Sequence, residues 1–162
     1  MDPVRFGPIG TIRSPFPDPA GMPVQAAAAK GIQGRIEGLP ACGEGLQDLE
    51  GFSHLILLYV FHRARAPELL VKPFLGDRRH GVFATRAPAR PNPIGISVVR
   101  LVRVDGLMLH IEDVDVVDGT PLLDIKPYVP AFDVCQAERT GWLAEGVNNL
   151  DGARSDDRFT AK

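Results

Sequence analysis

The residues best placed to do chemistry stand in one short stretch, Gly81 to Gly95, which reads GVFATRAPARPNPIG. Pro88, Pro91 and Pro93 fix φ at their own positions and push the residues before them toward extended conformations. A chain so constrained, following the strand-like Val82-Phe83-Ala84, makes a rigid loop, and rigid loops on a β scaffold are where binding groups are usefully held. Arg86, Arg90 and Asn92 put fixed donors at its edge. The same pattern also fits a proline-rich connection with solvated arginines. Nearby, Arg78, Arg79 and His80 join Arg86 and Arg90 in a basic cluster, while the whole chain carries a net charge of −2. Any nucleic-acid surface must therefore be local to this cluster; the competing reading is a solvated loop with scattered charge. His54 reads as a structural group, whereas His62, at the mouth of the same strand, is the better candidate for function. The 4 histidines and 2 cysteines show no ligand spacing, so no metal is expected.

These residues need a scaffold, and the rest of the chain indicates which kind. With 162 residues the chain can bury one core without staples. Its longest apolar run, Leu55 to Phe61, falls far short of the roughly 20 residues a bilayer requires. The start has no signal-peptide pattern, so a cytoplasmic location is the default. Glycine (17) and proline (15) punctuate the chain every few residues, which breaks long helices and suits short strands. Strands are expected over Phe6 to Arg13, Gln33 to Glu37, His54 to His62, Ser97 to Val104, Leu107 to Val114 and Leu122 to Tyr128. HLILLYVFH is apolar throughout and predicts a central strand buried on both faces. Asp105-Gly106 between two strands predicts a hairpin with a type I′ turn. The expectation is a mainly β fold, a barrel or sandwich with little helix. Ala26 to Lys30 predicts a turn and Glu138 to Glu145 a helix, and Pro67 to Leu75 is ambiguous. One barrel domain is expected over 1–147, followed by a polar tail over 148–162 that frays.

The order of motifs along the chain resembles the TsaA-like family, also called TrmO-type tRNA methyltransferases. The matching residues are Ile9 to Phe16 (IGTIRSPF), Gly34 to Glu37, Leu49 to Leu55 (LEGFSHL), Val60 to His62, Gly81 to Arg86, Arg90 to Gly95 (RPNPIG), Asp115 to Pro121 (DVVDGTP) and Asp124 to Tyr128 (DIKPY). The resemblance implies a β-barrel built on a single sheet. It implies S-adenosylmethionine bound without a Rossmann domain, and the chain indeed has no strand-GxGxxG-helix unit. It further implies homodimers with the cofactor near the subunit boundary, and methylation of N6 of threonylcarbamoyladenosine beside the tRNA anticodon. Full-length bacterial members often carry a further C-terminal domain with an Asp-Pro-Arg-Pro-like motif, which this sequence does not show. Around Gln25 the run is Pro-Val-Gln-Ala-Ala-Ala, where members usually have a basic residue or glycine.

Methyl transfer from a sulfonium is an in-line displacement, so the protein's work is alignment and electrostatics. By motif position the resemblance places the cofactor among Gln25, Phe61, His62, Arg86, Leu122, Leu123, Asp124 and Ile125. Arg86 is the natural partner of the carboxylate, although it could also pair with Asp118 or Asp124. Phe61, or the backbone of the last stretch, would hold the adenine, unless Phe61 is only core. The accepting amine must shed a proton, for which Asp118, Asp124 and His62 are the candidates; Asp118 sits in a turn that its carboxylate can equally cap. Arg78, Arg79 and Arg90 are expected to face RNA. Phe74, Leu75 and Val129 to Phe132 are expected to supply a dimer contact. Two other functions fit: a methyltransferase for a small molecule or modified nucleoside, and a non-catalytic S-adenosylmethionine-binding regulatory module.

Overall fold

Strands in this chain alternate small runs of inward apolar and outward mixed residues, and six of them close on themselves. The computed structural model describes residues 2–161; Met1 and Lys162, the outer ends of the two expected segments, lie outside them. The barrel strands are β1 (Gly10–Arg13), β2 (Gln33–Gly38), β3 (His54–Val60), β6 (Ile94–Asp105), β7 (Met108–Glu112) and β8 (Thr120–Pro127). They run in the order β1-β2-β7-β6-β3-β8, each antiparallel to its neighbours. Two short strands, β4 (Leu70–Val71) and β5 (His80–Gly81), pair outside the barrel; β4 occupies the ambiguous 67–75 stretch. Among the described residues helix is confined to short pieces: α1 (Pro130–Asp133), α2 (Leu143–Gly146), which begins five residues later than the helix expected from Glu138, and several 3-10 stretches of 3 to 7 residues. The mainly β single-sheet barrel expected from the sequence is the fold observed.

Closure decides which side chains are inside. Ile12, Ile36, Leu55, Leu57, Leu109 and Leu122 fill the core. On β3 only alternate residues are buried, contrary to the expectation of a strand buried on both faces. A barrel wall has one inner face, and the outer face of β3 happens also to be apolar. Its Ile56, Leu58 and Val60 stand opposite Val98, Ile96 and Ile94 of β6, which are 37%, 50% and 42% exposed. The β6–β7 turn also differs from expectation. Asp105 still pairs with Met108, so the loop is Gly106-Leu107, and Gly106 alone takes positive φ (59°), as a type II′ turn requires.

β6 is long because it changes partner. Its pairing with β3 covers Ile94 to Arg100, and its pairing with β7 begins at Arg100 opposite Glu112. Asp113 then takes φ of 67°, a left-handed conformation that few residues other than glycine adopt, and ends β7. Its carboxylate accepts the Gly31 N–H at 2.8 Å, which helps hold that conformation. The chain is redirected, Val114 drops into the core, and the next residue faces the part of β6 that β7 has left.

The 148–162 segment does not fray over its described part. Ser155 exchanges backbone bonds with Gly21 and Met22, at 2.7 and 2.9 Å, and Phe159 and Ala161 bond Arg65 and Arg63, both at 2.9 Å. Phe159 is 4% exposed and packs with Val71, Val82, Ala87 and Ala89 in a second, smaller core. One buried aromatic anchors an otherwise polar stretch, a signal too sparse for periodicity to reveal. Phe74, expected at a dimer contact, turns inward and meets Phe159 edge to face at 5.2 Å.

Candidate functional site

The place where β7 leaves β6 opens into a cavity of about 1050 Å³. Five parts of the chain wall it: the ends of β3 and β6, the loops around Gln25 and Arg86, Pro73 to Leu75, the stretch from Asp113 to Thr120, and the C-terminal segment from Trp142 to Thr160. Most of the wall is apolar, and Phe61, Phe83 and Trp142 present aromatic rings to it.

The proline loop holds its shape through its own bonds. Thr85 Oγ1 donates to Val82 O at 2.8 Å and accepts the Ala87 N–H at 3.2 Å. Arg90 donates back to Thr85 O and Ala87 O, at 3.1 and 3.4 Å. Between these fixed points Arg86 projects into the cavity and bonds Gln25 Oε1 at 2.8 Å. Trp142 stacks on His80 at 4.5 Å and donates its indole N–H to Ala84 O, tying the C-terminal segment to the same loop.

The inner wall carries a polar chain that sequence reasoning missed. Tyr59 on β3 is 4% exposed, and its hydroxyl meets Ser97 Oγ on β6 at 2.9 Å. Ser97 in turn donates to Asp115 Oδ1 at 2.6 Å, a length typical of a bond to a charged acceptor. Gly95 makes room for this arrangement: it pairs with Tyr59 across the strands, and a Cβ there would clash with Cε2, Cζ and Cδ2 of the tyrosine ring. Burial pushes the Asp115 carboxyl up to about 6, against the opposing pull of the Ser97 hydrogen bond and the Arg86 charge. Burial likewise raises the Tyr59 hydroxyl above its ordinary range, so it stays protonated. The missed signal is an acid set between Val114 and Val116, an unusual neighbour for two buried valines.

Gln25, Phe61, His62 and Arg86 meet at the cavity, as does Arg90. His62 Nδ1 lies 3.3 Å from Thr120 Oγ1, and burial followed by the Arg63 charge lowers its pKa, leaving the ring neutral at pH 7. The remaining expected residues go elsewhere. Asp118 caps Ser14 N at 3.1 Å and pairs with Arg13 at 3.6 Å, the turn-capping role its sequence also allows. Asp124 pairs with Lys126 at 2.8 Å on the outer surface of β8. Leu122 is buried in the barrel core, Ile125 packs against that core, and Leu123 sits at a register shift between β8 and β3. None of these five lines the cavity. Of the three arginines expected to face RNA, Arg78 has 87% of its side chain exposed and lies 3.9 Å from the Asp77 carboxylate. Arg79 is held by Leu70 O and Glu68, and Arg90 by the loop it stiffens.

Fold and site together define a small-ligand-binding barrel whose cavity combines an edge cation, aromatic walls and an acid at the base. The chain belongs to the family described as the tRNA-methyltransferase O N-terminal domain, whose model matches residues 11–134. It is 60% identical over 156 residues to a probable S-adenosyl-L-methionine-binding protein of Pyrococcus abyssi, covering 96% of this chain and 85% of that one. It is 39% identical over 140 residues to the tRNA (adenine(37)-N6)-methyltransferase of Escherichia coli, covering 80% of this chain and 60% of the relative. The crystal structure of TrmO from Pseudomonas aeruginosa superposes with a TM-score of 0.73 at 41% identity, over 87% of this chain and 63% of the other. The chain thus spans most of the archaeal relative and under two thirds of the two bacterial ones.

Proposed function

We propose that this protein binds S-adenosylmethionine in the cavity beside Arg86 and transfers its methyl group to N6 of an adenine in tRNA. The observation that carries the reading is the cavity itself. At about 1050 Å³ it stands at the upper limit of the roughly 300–1,000 Å³ that a single small ligand fills, which leaves space for an acceptor base beside a cofactor. The donor set suits this cofactor. Arg86 matches a carboxylate, and the rings of Phe61, Phe83 and Trp142 match a sulfonium or an adenine. When bound, the cofactor supplies the electrophilic methyl group. The chain's own residues orient both ligands and keep water from the reacting atoms.

Two relatives carry the same reading in their names, the methyltransferases of E. coli and mouse, both described as acting on adenine 37 of tRNA. The finer substrate is threonylcarbamoyladenosine. Transfer assayed on tRNA with and without the threonylcarbamoyl group tests it, and equal rates on both would remove that specificity. A second reading, a small molecule or free modified nucleoside as acceptor, is favoured by the net charge of −2 and by Arg79 and Arg90 being held within the chain. Free threonylcarbamoyladenosine methylated faster than intact tRNA would establish it.

The same proposal includes a cytoplasmic homodimer. The outward apolar face of β3 and β6, with Phe83 75% exposed nearby, borders the cavity and suits a second copy better than the Phe74 region. Light scattering at assay concentration tests this, and a monomer with full cofactor affinity would refute a shared site.

A further inference from the structure

We propose that Asp115 is the proton acceptor for the amine being methylated, with Ser97, Tyr59 and Gly95 as the residues that position it. This rests on the methyl-transfer reading above and adds the group that completes its proton balance.

The geometry orders the hydrogen bonds. Ser97 has one hydroxyl proton and gives it to Asp115 Oδ1 at 2.6 Å, so in the Tyr59–Ser97 contact at 2.9 Å the donor is the tyrosine. Every proton in the chain therefore points toward Asp115, which fixes the rotamer of the carboxylate. A carboxylate has about four acceptor positions. Ser97, the Ala26 N–H and its own N–H account for no more than three, and the group lines the cavity.

A structural role explains this group poorly. An acid buried to hold a fold is usually paired with a cation. Among the described residues, no ion pair includes Asp115, and the nearest guanidinium, Arg86, is bonded to Gln25 instead. The ionisable groups that act on the carboxylate are Tyr59 from β3 and Arg86 from the proline loop, and Lys30, His62, Arg63, Arg90, Asp113 and Asp156 also line the cavity. Tyr59 remains protonated, which leaves Asp115 as the acid at the cavity base that accepts protons near neutrality.

The reaction needs such a group. The lone pair of adenine N6 is drawn into the ring, and in threonylcarbamoyladenosine also into the carbamoyl group, so the nitrogen attacks weakly while it keeps its proton. As its electron pair forms the N–C bond, the C–S bond breaks and its electrons remain on sulfur. The nitrogen is left with one proton and one positive charge too many. Asp115 takes that proton on a free lone pair and later releases it to water through the open mouth of the cavity. An acceptor poised near the working pH is the efficient choice for such a transfer.

The test compares wild type, Asp115→Asn and Ser97→Ala in three measurements: S-adenosylmethionine binding by calorimetry, single-turnover transfer to tRNA from pH 5 to 8.5, and the Asp115 carboxyl titration followed by carbon NMR. Asp115→Asn is expected to bind the cofactor within about threefold of wild type. Its transfer should fall by roughly 100-fold or more, the usual worth of a general base, with the wild-type rise in rate through about pH 6 gone. Ser97→Ala removes a bond that favours the charged form, so both the NMR titration and the rate inflection should move to higher pH together. Asp115→Asn transferring at the wild-type rate would overturn the proposal. So would a tenfold or greater loss of cofactor affinity in that variant, which would make Asp115 a cofactor contact, or an inflection in Ser97→Ala that fails to follow the NMR titration. Wild-type protein that transfers to no RNA or nucleoside would instead fail the underlying reading, a separate and recognisable result. Should Asp115→Asn not fold, the paired shift in Ser97→Ala decides alone.

Discussion

Replacing Gly95 with alanine isolates the packing that holds the polar chain in place. In most strands this change is stabilising, by roughly 0.5–1 kcal/mol, because alanine loses less backbone freedom than glycine. Here the added Cβ clashes with the Tyr59 ring, which is 4% exposed, set edge-on against Phe61 at 5.5 Å and anchored through its hydroxyl to Ser97. The ring cannot yield without cost. Overpacking a core of this kind costs about 1–3 kcal/mol, and losing the Tyr59–Ser97 hydrogen bond adds about 0.5–1.5 kcal/mol. After subtracting the propensity gain, Gly95→Ala is expected to destabilise by about 1–3 kcal/mol, and scanning calorimetry should show a Tm lower by roughly 2–12 °C. A second substitution separates the causes. Tyr59→Leu removes the obstructing ring, so Gly95→Ala placed on that background should cost at least about 1 kcal/mol less than it does alone. A Tm that stays level or rises in the single variant would refute the steric role of Gly95. It would also refute the claim that this glycine, in the RPNPIG motif, exists to seat Tyr59.

Three further outcomes are expected. Arg86→Ala, which removes a charge-assisted bond to the cofactor carboxylate, should weaken S-adenosylmethionine binding by about 1.5–3 kcal/mol, or roughly 10- to 150-fold, by calorimetry; unchanged affinity in folded protein would take Arg86 out of the site. Phe159→Ala should cost about 3–5 kcal/mol in urea unfolding and loosen the C-terminal segment along the cavity, whereas a loss under 1 kcal/mol would mean that segment is not anchored there. Because the native Asp115 pKa lies above its ordinary 3.8, folded protein holds more protons than unfolded between about pH 4 and 6, and this group destabilises the fold increasingly as pH rises through that window. Asp115→Asn should therefore raise Tm at pH 7.5 and leave it unchanged near pH 4; a gain that persists at pH 4 would point to another cause.

Much of the scaffold was legible because its signals are local. The Gly106 turn, the strand periodicity and the three loop prolines each act within a few residues, and they place the hairpin, the barrel strands and the Arg86 loop. The errors share a different origin. β3 looked buried on both faces because Ile56, Leu58 and Val60 are as apolar as the core residues between them, and only closure of the barrel shows which set faces out. Turn and motif position drew attention to Asp118 and Asp124, and nothing local singled out Asp115. What distinguishes Asp115 is contact with Ser97, which sits on a strand that a left-handed Asp113 brings opposite it. The C-terminal wall depends on single aromatics, Trp142 and Phe159, whose partners His80 and Phe74 lie far away in sequence. Non-local pairings of this kind leave no periodic trace.

The activity proposed for this barrel moves a methyl group from S-adenosylmethionine to adenine N6 in tRNA. Incubating the purified chain with tRNA and cofactor labelled by a trideuteromethyl group, then digesting the RNA and reading the nucleosides by mass spectrometry, tests it most directly. The label is expected on the base of a single adenosine species, at N6, and lowered roughly 10- to 150-fold when Arg86→Ala replaces wild type at limiting cofactor. Cofactor bound at the cavity with no label in any nucleoside would contradict the account.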